Sequence, residues 1–206
     1  RIRFATSTKR RIVVMATKEH HCLGDLLIRH AFGELNAQIV AVIANHATLQ
    51  TLVERFEIPF HCISHAGCSR EEHEAAVLAQ LAHYQPEYVI LAKYMRIISP
   101  AFVSQYAQRL INIHHSFLPA FIGANPYRQA FERGVKIIGA TAHFVTDQLD
   151  EGPIIAQAVI PVDHSQSVAA MMQAGHDIEK NVLAHALRLV FDERVFLAGN
   201  RTIIFD

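Results

Sequence analysis

Three short apolar runs rich in β-branched residues recur in the first half of this chain: residues 12–16 (IVVMA), 39–44 (IVAVIA) and 88–92 (YVILA). None alternates apolar with polar. A strand that is apolar on both faces must be covered on both, which is the condition of a parallel sheet held between two layers of helix. A fourth run, residues 110–114 (LINIH), carries polar groups into the same pattern.

The stretches between the runs supply the helices. Leu26, Leu27, His30, Ala31 and Leu35 form one helical stripe after the first run, and residues 47–56 suit a helix that Pro59 breaks before a short strand over 60–64. Ser69 and Glu72 make a capping box ahead of a helix through Leu78, Leu81 and Ala82, which Pro86 ends. Ser99 and Pro100 give the N-cap and first-turn signal for a helix to Arg109. The alternation predicts an α/β, Rossmann-like fold: a mostly parallel twisted sheet with right-handed crossovers and helices on both faces.

The second half is less regular. Pro126 opens a short helix ended by Gly134, residues 137–145 and 154–162 read as strands joined by a polar turn, and residues 167–191 carry a helical apolar stripe of nearly seven turns. Residues 195–205, with Gly199-Asn200 in the middle, predict a closing hairpin.

Composition narrows the function classes. Nineteen Lys and Arg balance nineteen Asp and Glu over 206 residues, so there is no broad basic face for nucleic acid. The apolar runs fall far short of the roughly 20 residues that span a bilayer, so no membrane association is expected. Cys22, Cys62 and Cys68 cannot all pair within one chain, which predicts a reducing, cytoplasmic setting. Residues 1–10, within the arginine-rich RIRFATSTKRR, read as a linker, and residues 11–206 as one domain.

In open α/β sheets ligands bind beyond the carboxyl ends of strands, so polar residues there rank first as candidates. Asn112 and His114 share a face of the fourth run by period-two geometry; a buried pair bonded to backbone is the competing account. The turn 146–153 crowds Asp147, Asp150 and Glu151, which taken by itself is the ordinary pattern of solvated surface. Brought together, a carboxylate, an amide and an imidazole supply a proton acceptor, an oxyanion donor and a second donor or acid for attack on a carbonyl. Cys22, beside His20 and His21, is a weaker candidate nucleophile with no clear base. The fourteen histidines, His20, His21, His114, His115 and His143 among them, show no helical His-Glu-His spacing or CxxC knuckle, so no metal is expected.

Residues 112–121 (NIHHSFLPAF), together with 143–146 (HFVT) and 149–155 (LDEGPII), resemble the formyl transferase family that uses 10-formyltetrahydrofolate, in order as well as in spacing. Residues 95–100 (MRIISP) resemble that family's folate-contacting segment, while 18–27 (KEHHCLGDLL) and 123–128 (GANPYR) are similar to its deformylase branch. The resemblance runs from about Arg11 onward. It implies Asn112, His114 and Asp150 as the catalytic triplet, with Met95, Arg96, Ile98, Gly123, Thr146 and Asp147 binding the folate.

The relatives that formylate glycinamide ribonucleotide carry a Gly- and Asn-rich phosphate loop where this chain has Lys18-Glu19-His20-His21-Cys22, which is poorly shaped for a phosphate. The resemblance therefore implies hydrolysis of 10-formyltetrahydrofolate to formate and tetrahydrofolate, supplying one-carbon and purine metabolism. Its partners would be the folate and water, with no cofactor beyond that substrate and no metal. It also implies an ACT-type regulatory domain ahead of this one, residues 1–10 being its tether. Transfer to an amine acceptor and folate binding without turnover stay as alternatives. The apolar fraction and the closing hairpin are compatible with a homo-oligomer.

Overall fold

A computed structural model describes residues 9–119 and 126–205. The first strand lies in the middle of the sheet. β1 (Arg10–Ala16) is flanked on one side by β2 (Ala37–Ala44) and β3 (Phe60–Cys62), and on the other by β4 (Tyr88–Leu91) and β5 (Leu110–His114), all parallel. β6 (Ile137–Phe144) and β7 (Ile154–Pro161) complete the sheet antiparallel, in the order β3-β2-β1-β4-β5-β6-β7.

Period-two geometry divides the core. Ile12, Val14 and Ala16 of β1 face one helical layer, α1 (His21–Ala31) and α6 (Val168–Phe191), where Leu23, Leu27, Leu183 and Leu187 are buried. Val13 and Met15 face the other layer, α3 (Arg70–Tyr84) and α4 (Pro100–Gln105), through Val77, Leu81 and Phe102. The fold class is the expected one. α6 lies across β5, β6 and β7 and also packs on α1 and on α5 (Pro126–Arg133). The Ser69–Glu72 capping box forms, and Ser99 and Ser167 cap α4 and α6.

Several expected boundaries move. α1 stops at Ala31, and Leu35 is buried from the loop beyond a left-handed Gly33. The helix expected over residues 47–56 is a 3-10 turn, Ala47–Leu49, running into the short α2 (Gln50–Glu54). α4 ends at Gln105, four residues early, because the chain turns through a left-handed Gln108 to enter β5. Arg10, expected in the linker, is the first residue of β1 and is ion-paired to Glu87 and Glu193. Of the rest of that linker, residues 1–8 lie outside the described residues, as does Gly123.

The hairpin of β8 (Val195–Ala198) and β9 (Arg201–Ile204) is present and braces the acidic turn. Asn200 Nδ2 donates to the Glu151 carbonyl at 3.0 Å, and Thr202 Oγ1 to that of Ile154 at 2.6 Å. No helix of the described residues is long and apolar enough to cross a membrane.

Candidate active site

The chain steps from β3 back across β1 to β4, and a crevice opens beyond β4 where the strand order reverses. A cavity of about 290 Å³ lies there. It is lined by the segment after β4, by β5 and by the turn after β6, and includes Met95, Arg96, Ile98, Asn112, His114, Thr146, Asp147 and Asp150. Every triplet and folate-binding residue that the resemblance implies, except Gly123, thus shares one cavity, while Cys22, His20 and His21 lie outside its lining.

The turn needed more than strand-end logic to get there. β6 runs antiparallel, so its carboxyl end lies beside Ile111 and not beside His114. Asp150 nevertheless comes within 3.4 Å of His114 Nδ1, through a left-handed backbone conformation (φ 57°) that Asp tolerates better than most residues. Gly152 makes that turn possible: a Cβ there would fall 1.7 Å from the Phe144 carbonyl oxygen. Thr141, paired with His114 across the ladder, anchors the segment that leaves β5. Its hydroxyl donates to the Ser116 carbonyl at 2.8 Å and accepts from Leu118 N–H at 3.0 Å and Gln157 Nε2 at 2.9 Å.

His143, raised at the sequence level only as a metal ligand, belongs to this cluster. It pairs with Asn112 across the β5–β6 ladder. Its Nδ1 lies 2.9 Å from the Phe144 carbonyl, which can only accept, so the ring proton sits on Nδ1 and Nε2 is left as an acceptor. Asn112 Nδ2 donates to that Nε2 at 3.3 Å, which fixes the orientation of the amide and leaves its second N–H for the cavity. Burial lowers the His143 pKa and keeps the ring neutral.

Asp150 Oδ1 is 3.7 Å from the same Nε2. Burial alone would raise the Asp150 pKa, but the hydrogen bond and charge of His114 outweigh that and hold it below the ordinary carboxylate value. His114 Nε2 is buried without a hydrogen-bond partner among the described residues. The arrangement is an anionic proton acceptor, an oriented amide donor and an imidazole with one nitrogen uncommitted.

A second polar cluster adjoins the first. Glu179 of α6 is 0% exposed; it accepts from His21 at 2.8 Å, from the Lys93 ammonium at 3.1 Å and from the Tyr127 hydroxyl. Burial opposes its charge, yet His21, Lys93 and Tyr127 bring its pKa down to about 2. Lys93 also donates to His115 Nδ1 at 3.2 Å, and the His115 ring stacks on His114 with centroids 4.8 Å apart. Lys93 is only 4% exposed and left-handed (φ 62°), a conformation that costs a non-glycine residue of the order of 1–3 kcal/mol.

Cys22 lies within this second cluster. Burial, then the Glu179 charge, pushes its thiol well up, which makes it a poor nucleophile. Two groups here have metal-ligand spacing, Glu19 with His21 and His176, and His21 with Cys22 and Glu179. The Lys93 ammonium, 3.1 Å from Glu179 and 3.7 Å from Glu19, already supplies the cation between them.

Comparison with known proteins agrees with this architecture. The formyl transferase family model matches residues 10–187. The formyltetrahydrofolate deformylase of Escherichia coli O6:H1 is 61% identical over 196 residues, covering 95% of this chain and 70% of that protein. The crystal structure of a formyltetrahydrofolate deformylase from Pseudomonas syringae pv. tomato superposes with a TM-score of 0.94 at 46% identity, covering 97% of this chain and 67% of that one. A glycinamide ribonucleotide transformylase from Symbiobacterium toebii superposes with a TM-score of 0.91 at 33% identity, covering 96% and 94%.

Proposed function

Because the chain belongs to the formyl transferase family, we propose that the cavity at Asn112, His114 and Asp150 hydrolyses 10-formyltetrahydrofolate to formate and tetrahydrofolate. The observation that carries the proposal is Asp150 meeting His114 and His143 beside the oriented amide of Asn112.

The chemistry follows from the residues. Attack of water on the formyl carbon develops negative charge on the formyl oxygen and releases a proton. The Asp150 carboxylate, anionic at neutral pH, accepts that proton from the attacking water and returns it to the departing N10. The free N–H of Asn112 donates to the developing oxyanion. His114, with a proton on Nε2, is a second donor to the same oxygen. Met95, Ile97 and Leu149 stand exposed around the cavity and offer apolar surface to a flat pterin ring, while Arg96, Ile98, Thr146 and Asp147 line the same cavity.

The reading extends to formate supply for one-carbon and purine metabolism in the cytoplasm, to action without a metal, to a homo-oligomeric state, and to a regulatory ACT-type domain preceding the tether. The similarity to named deformylases supports hydrolysis over transfer to an amine. The assay follows the one-carbon unit: the protein is incubated with 10-formyltetrahydrofolate, with and without glycinamide ribonucleotide. Formate in both incubations is expected. Formylated ribonucleotide as the main product would replace hydrolysis with transfer, and intact substrate after long incubation would leave a folate-binding module.

A further inference from the structure

The backbone of this chain superposes on a deformylase and on a transformylase alike, which directs attention to the side chains around the cavity for the choice between water and an amine as nucleophile. The cavity has two sides. One is the apolar rim between Met95, Ile97 and Leu149, suited to the pterin. The other is the wall made by Lys93 and His115.

Behind that wall the side chains touch one another. His21 and Lys93 close on Glu179 from two directions, and His176 stacks on His21 with ring centroids 4.0 Å apart. The Tyr127 ring lies across α6 where Gly175 has no side chain; a Cβ there would come within 2.2 Å of it. Its hydroxyl closes the ring of contacts on Glu179.

Lys93 is the odd member. Its φ of 62° is a conformation that glycine adopts freely, and glycine there would satisfy the loop and leave space beside the triplet. The chain instead holds a long cationic side chain in that conformation and spends a fully buried carboxylate on neutralising it.

We propose that Lys93, clamped by Glu179 and His115, is the specificity residue that confines the nucleophile to water. Its stem and ammonium fill the side of the cavity from which an amine-bearing acceptor would reach the formyl carbon, and leave room there only for water. This rests on the hydrolytic reading above. In hydrolysis the bond from the formyl carbon to N10 breaks, the water oxygen bonds to that carbon, and one water proton goes to N10. With an amine admitted, its nitrogen bonds to the carbon, its proton goes to N10, and the product is an N-formyl amine.

The test measures partition, which a general loss of activity does not move. Protein, 10-formyltetrahydrofolate labelled in the formyl carbon, and excess glycinamide are incubated, and labelled formate and formylglycinamide are quantified. The wild type should give formate almost exclusively, and Lys93→Gly should raise the formylglycinamide fraction by about tenfold or more. An unchanged fraction in Lys93→Gly overturns the proposal. If that variant does not fold once Glu179 has lost its lysine partner, Lys93→Gly/Glu179→Gln removes both charges and should show the same rise. The wild type provides a variant-free arm: hydroxylamine, close to water in size, should capture the formyl group far better than glycinamide, and equal capture overturns the role of Lys93. Formate from the wild type with no change of partition leaves hydrolysis standing and removes Lys93. Failure of the wild type to release the formyl group removes both.

Discussion

Two clusters of carboxylate and imidazole sit side by side in this molecule and are built in opposite ways. Asp150 comes from a turn, its side chain is 13% exposed, and its imidazole partners stand off at 3.4 and 3.7 Å. Glu179 comes from the longest helix of the described residues, is completely buried, and is gripped at 2.8 and 3.1 Å with a lysine ammonium among its partners. A carboxylate whose lone pairs are taken up by short charged contacts is committed to structure. One that faces a cavity through long contacts keeps lone pairs for a reactant, and such contacts tighten only when substrate arrives. The same chemistry thus serves holding in one place and reacting in the other.

The largest effect that separates the two clusters is on turnover. Asp150→Asn should lower it about 100-fold to 10,000-fold with little change in thermal melting, because a positioned proton acceptor is lost from a half-open site. Asn112→Ala and His114→Ala should each cost about 100-fold to 1000-fold. A steady-state assay paired with a melting curve checks all three, and near-normal rates would erase the distinction drawn here.

Glu179→Ala should act first on stability, lowering it by about 3–5 kcal/mol in a urea titration, since it strands a buried ammonium. Acid sharpens this. The Glu179 pKa falls from 4.5 to about 2 on folding, so its contribution is full above 4.5 and drains away as pH falls toward 2. The stability gap between wild type and Glu179→Gln should therefore narrow on acidification. A gap that widened would mean the carboxyl is not held as an anion.

Gly152→Ala is expected to spoil the reactive cluster alone. The added methyl meets the Phe144 carbonyl, the turn must shift, and a displacement of about 1 Å is enough to cost about 100-fold in turnover. The smallest effect belongs to Asn200→Ala, which removes one brace on that turn and should cost about 1 kcal/mol or less, readable as faster amide exchange around Glu151 and Ile154.

The sheet was legible because burial on both faces leaves a local trace: the runs that became β1, β2 and β4 are continuous apolar segments with no polar residue to interrupt them. Caps were legible for the same local reason, as Ser69 with Glu72 shows. Helix ends that depend on a left-handed residue, such as the turn through Gln108 after α4, leave a weaker mark, since Gln does not announce that conformation.

In the candidate site, Asn112, His114 and Asp150 stood out by position and resemblance. Residue pattern alone could not show that Asp150 reaches back across an antiparallel pair to meet them. His143 was passed over as a catalytic neighbour because its role depends on cross-strand register. Glu179 did leave a signal: it is a charge set on the buried stripe of α6 among Gly175, Ile178, Val182 and Leu183. Its partners His21, Lys93 and Tyr127 come from three distant segments, and no spacing rule joins them.

The most direct test is a single turnover with enzyme in excess over 10-formyltetrahydrofolate in heavy-oxygen water, run for the wild type and for Asp150→Asn at matched folate occupancy. The wild type should release formate carrying one solvent oxygen, while Asp150→Asn should hold the folate with its formyl group intact. Release of labelled formate by Asp150→Asn at the wild-type rate would contradict the account.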